Sequence, residues 1–289
     1  MTAPSPVLAR AYAMLEAGRP QDALAALATL PAAEVMEPVA AKLRCAALAQ
    51  LDRWAEAGDA ARAGLAENGP DPDLLYWLGR AEQQAGHPGT AERVLLDGLA
   101  IAPEDVDLLC AYADLCAAEG QVDKAARLVA LAAAQDPEAP MVYATRVKVA
   151  YARGDDREAQ RISREFVGAH PADPVANAML GGTSAARGQV GAAYAGFRRA
   201  VAEAPADQAY AESALEMRIA GHPLMLPLRP ILRFGPLKVW LVAVATISGL
   251  RLLGLPWLAF PVAAAWFAYC VYSWVVPPLL RWWMRRRWR

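Results

Sequence analysis

The residue types best suited to chemistry are sparse in this chain: four cysteines, Cys45, Cys110, Cys116 and Cys270, and three histidines, His87, His170 and His222. No two cysteines form a CxxC pair, and the histidines are isolated from them in the sequence, which excludes the common zinc spacings. Cys110 and Cys116 stand six residues apart on one predicted helix and do not share a face well, so structural thiols are favoured over a redox pair. This cysteine usage indicates a reducing compartment.

Other catalytic patterns are missing as well. The sequence contains no Walker-type phosphate loop, no GxSxG elbow, no HExxH pair and no dinucleotide fingerprint after a strand. Gly181 and Gly182 fall within a helical pattern, which favours helix packing over phosphate binding. Asp155 and Asp156 follow Gly154 in a predicted turn, where a capping role is expected. We therefore predict no enzyme activity, no cofactor and no metal site, with an enzyme of unrecognised type as the least favoured alternative.

Charge is divided sharply along the 289 residues. Residues 1–220 carry 20 basic and 30 acidic side chains, whereas residues 221–289 carry nine basic and no acidic ones. The acidic part argues against general nucleic-acid binding, which needs a basic face to displace the counterions of phosphate. An apolar content of 56% excludes an extended disordered chain. The near-neutral total charge therefore hides two regions of different chemistry.

A step of 34 residues organises the first two-thirds of the chain. At that step an alanine recurs six times without a shift, at Ala23, Ala57, Ala91, Ala125, Ala159 and Ala193. Glycine recurs at predicted turns, with Asp52 in place of one of them, and proline recurs near the ends of the last four units. Each unit is predicted to form helix, turn and helix, with the proline ending the second helix. Six units then begin at residues 4, 38, 72, 106, 140 and 174.

The unit resembles that of the tetratricopeptide repeat (TPR) family, which carries large, small and proline residues at eight characteristic positions. The third unit has Leu75, Leu78, Gly79, Glu82, Ala91, Leu95, Gly98 and Pro103 at these positions. The resemblance implies an all-α, right-handed superhelix over residues 1–220, because a single helix pair cannot bury its apolar face without neighbours. Residues 206–220, with Tyr210, Leu215 and Ile219, are predicted to form a closing helix that covers the last unit.

The resemblance also implies a binding surface, since the first helices of TPR proteins line a concave groove that binds an extended peptide or a partner helix. Carried over to units three, four and five, the candidate groove residues are Asp73, Tyr76, Arg80 and Gln83; Asp107, Cys110, Asp114 and Ala117; and Met141, Ala144, Lys148 and Tyr151. Residues 1–139 carry 10 basic and 21 acidic side chains, so a basic partner segment is expected. The alternative is that these positions are merely solvated and that binding occurs at an edge or end.

Two apolar stretches follow a proline-rich linker at residues 221–236. About 20 helical residues cross the ~30 Å hydrocarbon core of a bilayer, and only the second stretch, uncharged for 25 residues, is long enough alone. The first needs Lys238 and Arg251 to extend toward opposite membrane faces. We predict a transmembrane helical hairpin with helices at about 237–254 and 257–278. The alternative is one span preceded by a shallow interfacial helix.

Basic and aromatic residues flank this predicted hairpin. Trp257 opens the second helix, and a basic aromatic tail at residues 281–289 includes Trp282, Trp283, Arg285, Arg286 and Arg287. The positive-inside tendency places both ends of the hairpin in the cytosol, which agrees with the lack of a signal-peptide pattern at the amino terminus. The tail is predicted to contact anionic lipid. We expect a multi-pass protein of a bacterial inner membrane with both termini cytoplasmic.

The leading functional prediction is a membrane-anchored scaffold or adaptor that binds a protein partner and recruits it to the cytosolic face. The alternative is an accessory subunit of a membrane transport, secretion or envelope-assembly complex, bound to another integral membrane protein through Arg251 and the hairpin. Both predictions place recognition, rather than catalysis, at the centre of the function.

Overall fold

The computed structural model describes residues 5–31, 37–205, 207–228, 235–253 and 255–288. Over these residues it contains fifteen α-helices, one short 3-10 helix and no β-strand. The repeat region holds α1 (Pro6–Glu16), α2 (Pro20–Leu27), α3 (Pro38–Gln50), α4 (Trp54–Asn68), α5 (Pro72–Gln84), α6 (Pro88–Ile101), α7 (Val106–Ala118), α8 (Val122–Gln135), α9 (Pro140–Ala152), α10 (Asp156–Ala169), α11 (Pro174–Ala186), α12 (Val190–Glu203) and α13 (Gln208–Ala220). The 3-10 helix (Pro223–Leu228), α14 (Pro236–Leu252) and α15 (Pro256–Trp288) follow. The predicted all-α fold is confirmed, whereas the predicted start of the first unit, residue 4, lies outside the described residues.

The turn inside each unit follows the predicted pattern. Gly18, Gly86, Gly120, Gly154 and Gly188 all have φ between 66° and 78°, the left-handed region in which glycine pays no Cβ penalty. Asp52 occupies the equivalent position in the second unit with φ of 58°. Aspartate tolerates this conformation better than most residues do, so the second unit keeps the turn without glycine.

Local signals set the helix ends. Asp71 and Asp105 each accept a hydrogen bond from the backbone N–H three residues later, at the starts of α5 and α7. Asp155 caps α10 in a similar way, so its predicted capping role is confirmed. Helices α6, α8, α10 and α12 each end two residues before a recurring proline. Proline cannot continue a helix because it lacks an N–H and clashes with the preceding turn.

Small residues let the helices approach closely. All six recurring alanines are fully buried. A Cβ placed on Gly79 of α5 would lie 2.6 Å from carbons of Leu95 in α6, and one on Gly181 would lie 3.0 Å from the Phe197 ring. The packing role predicted for Gly181 is therefore confirmed, whereas Gly182 faces open space. Close packing of this kind leaves little freedom in the spacing of neighbouring helices.

The first helices of successive units lie side by side. α5 contacts α7, and α7 contacts α9, in addition to the contacts that each makes with the second helix of its own unit. This layer positions the candidate groove. At the other end, α13 packs on α12, and its Leu215 and Ile219 are buried. These two residues also contact α15, a contact that the sequence did not predict.

The carboxyl-terminal helices α14 and α15 contact each other, and Gly254 of the predicted turn lies outside the described residues. Among the described residues, one helical segment, Trp257–Met284, is long and apolar enough to cross a membrane, by length and composition alone. α14 is shorter, with 17 residues. α15 continues through Pro277 and Pro278 to Trp288, so the predicted tail extends the helix rather than following it.

Candidate functional site

Three charged residues link the first helices of units three, four and five. Because the units repeat every 34 residues, Arg80, Asp114 and Lys148 occupy the same position of α5, α7 and α9. The Asp114 Oδ2 atom accepts a hydrogen bond from Arg80 Nη1 at 3.1 Å and another from Lys148 Nζ. We call these three residues the charge ladder.

Burial differs strongly along the charge ladder. The Asp114 side chain is 5% exposed, that of Arg80 is 18% exposed, and that of Lys148 is 44% exposed. A buried carboxylate is tolerated only when it is paired, since removing one partner of a buried ion pair costs about 3–5 kcal/mol. Asp114 therefore holds two cationic groups in fixed positions, and the two cations with one anion leave a net positive charge.

Three of the predicted groove residues contain buried polar atoms without a hydrogen-bond partner in the described structure. Arg80 Nε, Gln83 Oε1 and Asp114 Oδ1 are buried and have no hydrogen-bond partner within the described part of the chain. More than nine in ten buried polar groups in folded proteins have such a partner, so each exception requires an explanation. The three atoms are one donor, Arg80 Nε, and two acceptors, and each is shielded from solvent.

Tyr76 and Asp107 border the charge ladder. Burial raises the pKa of the Tyr76 hydroxyl to about 12, and its nearest charged groups include Arg80, Asp107 and Asp114. The hydroxyl is therefore neutral at physiological pH. Desolvation, followed by the negative charges of Asp105 and Asp73, raises the pKa of Asp107, although its side chain reaches solvent. The ion pairs present among the described residues do not include Asp107.

Asp73 is engaged by a residue that the groove prediction did not include. Lys42 of α3 donates a hydrogen bond to Asp73 at 2.6 Å and lies 2.8 Å from Asp71. Burial opposes the charge of Lys42, but the hydrogen bonds to both aspartates outweigh it and raise the pKa of Lys42. Lys42 has the same position in unit two that Tyr76 has in unit three, so the 34-residue register was the signal that could have found it.

The remaining predicted groove residues are more dispersed. Met141 is half-buried and packs in an apolar cluster with Cys110, while Ala144 is buried. Tyr151 is 37% exposed. Burial, followed by the negative charge of Asp156, raises the pKa of its hydroxyl. The structure thus gathers Tyr76, the charge ladder and Asp107, and leaves Tyr151 near the turn of its unit.

The cysteines fit the structural role predicted for them. Cys45, Cys110 and Cys116 are buried. Burial raises the pKa of the Cys45 and Cys110 thiols to about 12, which leaves almost no reactive thiolate at neutral pH. Over the described ranges, no group of three or more histidine, cysteine or acidic side chains is placed to hold a metal ion.

A second concave surface lies away from the charge ladder. A cleft of about 250 Å³ between α8, α9 and α10 has a floor of small apolar residues that includes Val129 and Ile162. Arg146, Arg153 and Glu158 stand at its rim. This cleft corresponds to the alternative given above, in which a partner binds at an edge of the superhelix. The buried polar atoms without a hydrogen-bond partner in the described residues do not belong to the residues that line this cleft.

Most residues predicted to meet the membrane are exposed. Lys238 and Arg251 lie near opposite ends of α14, and both reach solvent. Trp257 is 69% exposed, and Trp282 and Trp283 are also exposed. Arg286 Cζ lies 4.0 Å from the centre of the Trp282 ring, within the range of a cation–π contact. The side chains of Arg285 and Arg287 lie outside the described set.

Comparison with known proteins supports the repeat assignment. A tetratricopeptide repeat profile matches residues 72–115, the segment that contains α5, α6 and most of α7. No curated protein matches the chain. Two members of the charge ladder, Arg80 and Asp114, therefore lie within the segment that matches the profile.

Solved structures share the fold. A TPR protein from Parabacteroides merdae superposes with a TM-score of 0.61 at 16% identity, covering 73% of this chain and 83% of that one. A thermophilic TPR protein in Thermus thermophilus gives 0.56 at 20% identity, covering 62% and 100%. PilW, a widely conserved type IV pilus biogenesis factor, gives 0.52 at 15% identity, covering 72% and 94%. At these identities the likeness establishes the fold alone.

Proposed function

We propose that this protein is a membrane-anchored TPR scaffold that binds a protein partner in its groove and recruits it to the cytosolic face of a bacterial inner membrane. The proposed domains are a superhelix at 1–220, an interfacial linker at 221–236, a two-span membrane hairpin at 237–280 and a basic aromatic tail at 281–289. Both termini then lie in the cytoplasm. No cofactor is required, because the role is recognition.

The charge ladder and the unpartnered polar atoms beside it carry this proposal. An internal structural network normally satisfies its buried groups, because each unsatisfied one costs about 1–3 kcal/mol. Here Gln83 Oε1, Arg80 Nε and Asp114 Oδ1 are shielded from solvent and have no partner among the described residues. Backbone carbonyls of a partner segment can accept hydrogen bonds from the solvent-reaching parts of Arg80 and Lys148, which Asp114 holds in place before the partner arrives.

The proposed partner segment is basic. Residues 1–139 carry an excess of acidic side chains, which attracts a basic partner over a distance and speeds association. Within the groove, Asp107 is the accessible carboxylate outside the ion pairs described above. A lysine or arginine of the partner beside Asp107 would relieve the repulsion from Asp105 and Asp73 that raises its pKa.

The exposed apolar surfaces of α14 and α15 support the proposed anchor. Many apolar side chains of these two helices are exposed, including Val242 at 67% and Phe260 at 78%. A contiguous apolar surface of this kind is unfavourable in water. Residues 221–289 contain no acidic side chain, and Arg286 with Trp282 suits the anionic surface of a cytosolic leaflet. In a membrane, lipid tails instead of water contact these apolar side chains, so their exposure is favourable there.

Site-specific photocrosslinking in native membranes tests the proposal. A photoreactive amino acid replaces Tyr151 in the groove layer, and a matched variant carries it at Leu131, which is 56% exposed on the second helix α8. We expect a distinct protein adduct from position 151 and none of that mass from position 131. We also expect Asp107→Asn to weaken the adduct by several-fold. Equal adducts from both positions would contradict groove binding.

A second arm separates recruitment from the alternative role as a complex subunit. The residues from 236 to 268 are replaced by an unrelated membrane anchor, which leaves the distal part of α15 and its contacts with the repeats in place, and the crosslink from position 151 is measured again. Retention of the adduct supports a recruiting scaffold whose hairpin is only a tether. Loss of the adduct, with the protein still in the membrane, would instead indicate a subunit bound through its hairpin.

A further inference from the structure

The distal part of α15 is fastened to the end of the repeat region. The Tyr269 hydroxyl donates a hydrogen bond to the Pro227 carbonyl at 2.9 Å, and the Tyr272 hydroxyl donates one to the Leu224 carbonyl at 2.6 Å. Both carbonyls belong to the 3-10 helix Pro223–Leu228. Two side chains of a long apolar helix therefore satisfy backbone acceptors of the segment that leaves the repeats.

An apolar cluster continues this attachment along the same helix. Its buried members come from α13, from the 3-10 helix and from α15, and we call it the seam: Leu215, Ile219, Met225, Leu228, Leu280 and Met284. Tyr269, Tyr272, Leu280 and Met284 follow one another at intervals of three, eight and four residues, which returns each to the same helix face. One face of α15 is thus packed against protein, while Trp274 on another face is 83% exposed.

Charged groups place the seam outside hydrocarbon. Helix α13 carries Glu212, Glu216 and Arg218, and Glu216 lies 4.0 Å from Arg281 of α15. The Glu216 and Arg281 side chains are 62% and 56% exposed, so they need an aqueous or headgroup environment. Charged side chains are rare within a membrane core and are then enclosed by protein or water. The level of residues 280–284 on α15 is therefore not within the lipid tails.

The two tyrosines mark the level at which lipid can begin. Irregular backbone that faces lipid does not occur within the hydrocarbon core, and the segment Pro223–Leu228 lies beside α15 from Tyr269 onward. Tyrosine and tryptophan favour the headgroup region, where an apolar ring and a polar group are both solvated. Leu224 and Leu226 of the segment are each 48% exposed, while Met225 between them is buried.

We propose that the cytosolic boundary of the hydrocarbon lies at the level of Tyr269 and Tyr272, and that the seam holds the end of the repeat region on the membrane surface. The exposed side chains of Leu224, Leu226 and Trp274 contact the headgroup region of the lipid. This inference rests on the proposed membrane anchoring. It shortens the span predicted from sequence, which placed residues up to 278 within the membrane.

The helix lengths agree with this boundary. From Pro256 to Tyr272 α15 has 17 residues, the same number as α14, so the two membrane parts match at about 25 Å. That length is slightly below the ~30 Å hydrocarbon thickness, which local thinning and extension of Arg251 toward the far surface accommodate. The complete α15, with 33 residues, is about 50 Å long and exceeds any such core.

Spin-label depth measurements on the full-length protein test the boundary. In a Cys270→Ser background, single labels are placed through Val275→Cys, Phe267→Cys and Leu131→Cys, all at exposed positions. The remaining native thiols stay unlabelled because they are buried. The protein is reconstituted in vesicles of phosphatidylethanolamine and phosphatidylglycerol, and collision rates with oxygen and with a water-soluble nickel chelate give the depth of each label.

The expected order separates this proposal from the anchoring on which it rests. We expect the Val275 label to collide with nickel as a headgroup-level site does, and the Phe267 label to lie roughly 12 Å deeper, since the two positions are eight residues apart at about 1.5 Å per residue. A Val275 label as deep as the Phe267 label would overturn the boundary while leaving the anchor intact. Val275 and Phe267 labels that both behave like the aqueous Leu131 label would overturn the anchor itself.

Discussion

The repeat region and the carboxyl-terminal helices use the same apolar side chains in opposite ways. In the repeats, Leu95 and Phe166 are fully buried between helices. In α15, Phe260 and Phe267 are 78% and 71% exposed. The first arrangement gains stability from removing apolar area from water, whereas the second gains it only where lipid replaces water. Exposure of an apolar residue therefore has a different meaning in the two regions.

The treatment of charge differs in the same way. The repeats distribute cations and anions so that ion pairs join neighbouring units, as Lys42 with Asp73 and Arg80 with Asp114 do. The segment from residue 221 to 289 has no anions of its own, and Arg281 approaches Glu216 of the repeat region instead. The repeats supply both partners of such ion pairs, whereas the carboxyl-terminal segment depends on the repeats and, in our proposal, on anionic lipid.

Introducing one carboxylate into each region should give the largest contrast. Val244→Asp in the middle of α14 is expected to cost about 3–4 kcal/mol of membrane insertion, since an aspartate at the centre of a span is strongly disfavoured. Leu131→Asp in α8 is the matched change, because Leu131 is exposed to water. Carbonate extraction of membranes measures both. Val244→Asp should lower the retained fraction by more than tenfold, and equal retention of the two variants would contradict a membrane role for α14.

The charge ladder offers the next largest effect, because its anion is buried. Asp114→Ala is expected to lower the free energy of unfolding by about 2–3 kcal/mol, somewhat below the usual cost of breaking a buried pair, as Lys148 is half-exposed. Urea unfolding of the detergent-solubilised protein, followed by circular dichroism, measures this loss. A loss below about 0.5 kcal/mol would mean that the ladder contributes nothing to stability.

Asp107→Asn is the matched control on the same helix, and its expected change in the free energy of unfolding has the opposite sign. The raised pKa of Asp107 means that the fold disfavours its ionised form. Its carboxylate therefore destabilises the protein at neutral pH, and that penalty disappears as the pH falls below the unfolded-state pKa. Asp107→Asn should be neutral or slightly stabilising at pH 7 and without effect at about pH 3, where both states bind the proton.

Periodicity explains how much of the fold the sequence could reveal. The turns at Gly86 and Gly120, the caps at Asp155 and the buried alanines each follow from a local pattern repeated in phase. The charge ladder follows from the same register, since a step of 34 residues stacks equal positions. The sequence did not reveal which of the aligned charges pair, because that depends on side-chain reach across helices.

The seam could not be predicted for a different reason. Tyr269 and Tyr272 sit in a stretch whose composition indicates only a membrane helix, and their partners are backbone carbonyls of Leu224 and Pro227. Every residue has a backbone carbonyl, so the residue type does not indicate which carbonyl accepts such a hydrogen bond. Leu215 and Ile219 were expected to cover the last unit, and their burial against α15 depends on a contact across more than 60 residues of chain.

Substitutions at two glycines of α12 test the close packing of the repeat helices, and their expected effects are smaller. A Cβ on Gly196 of α12 would lie 2.7 Å from the backbone nitrogen of Gly181, so Gly196→Ala should cost about 1–3 kcal/mol through forced backbone movement. Gly191→Ala on the same helix meets open space and should stabilise by up to about 1 kcal/mol through helix propensity. Urea midpoints of the two variants should move in opposite directions, and a shared direction would contradict the packing argument.

The smallest expected effect concerns a group of three charged residues that, unlike the charge ladder, is exposed to solvent. Arg161 donates hydrogen bonds to Glu158 at 2.8 Å and also to Glu165, yet these side chains are 53%, 40% and 42% exposed. Water screens exposed pairs, and ordering three long side chains costs entropy, so Arg161→Ala should change the free energy of unfolding by less than about 0.5 kcal/mol. Urea unfolding beside Asp114→Ala compares the two directly. If both variants lost the same stability, burial would not be what distinguishes the groove from the rest of the charged surface.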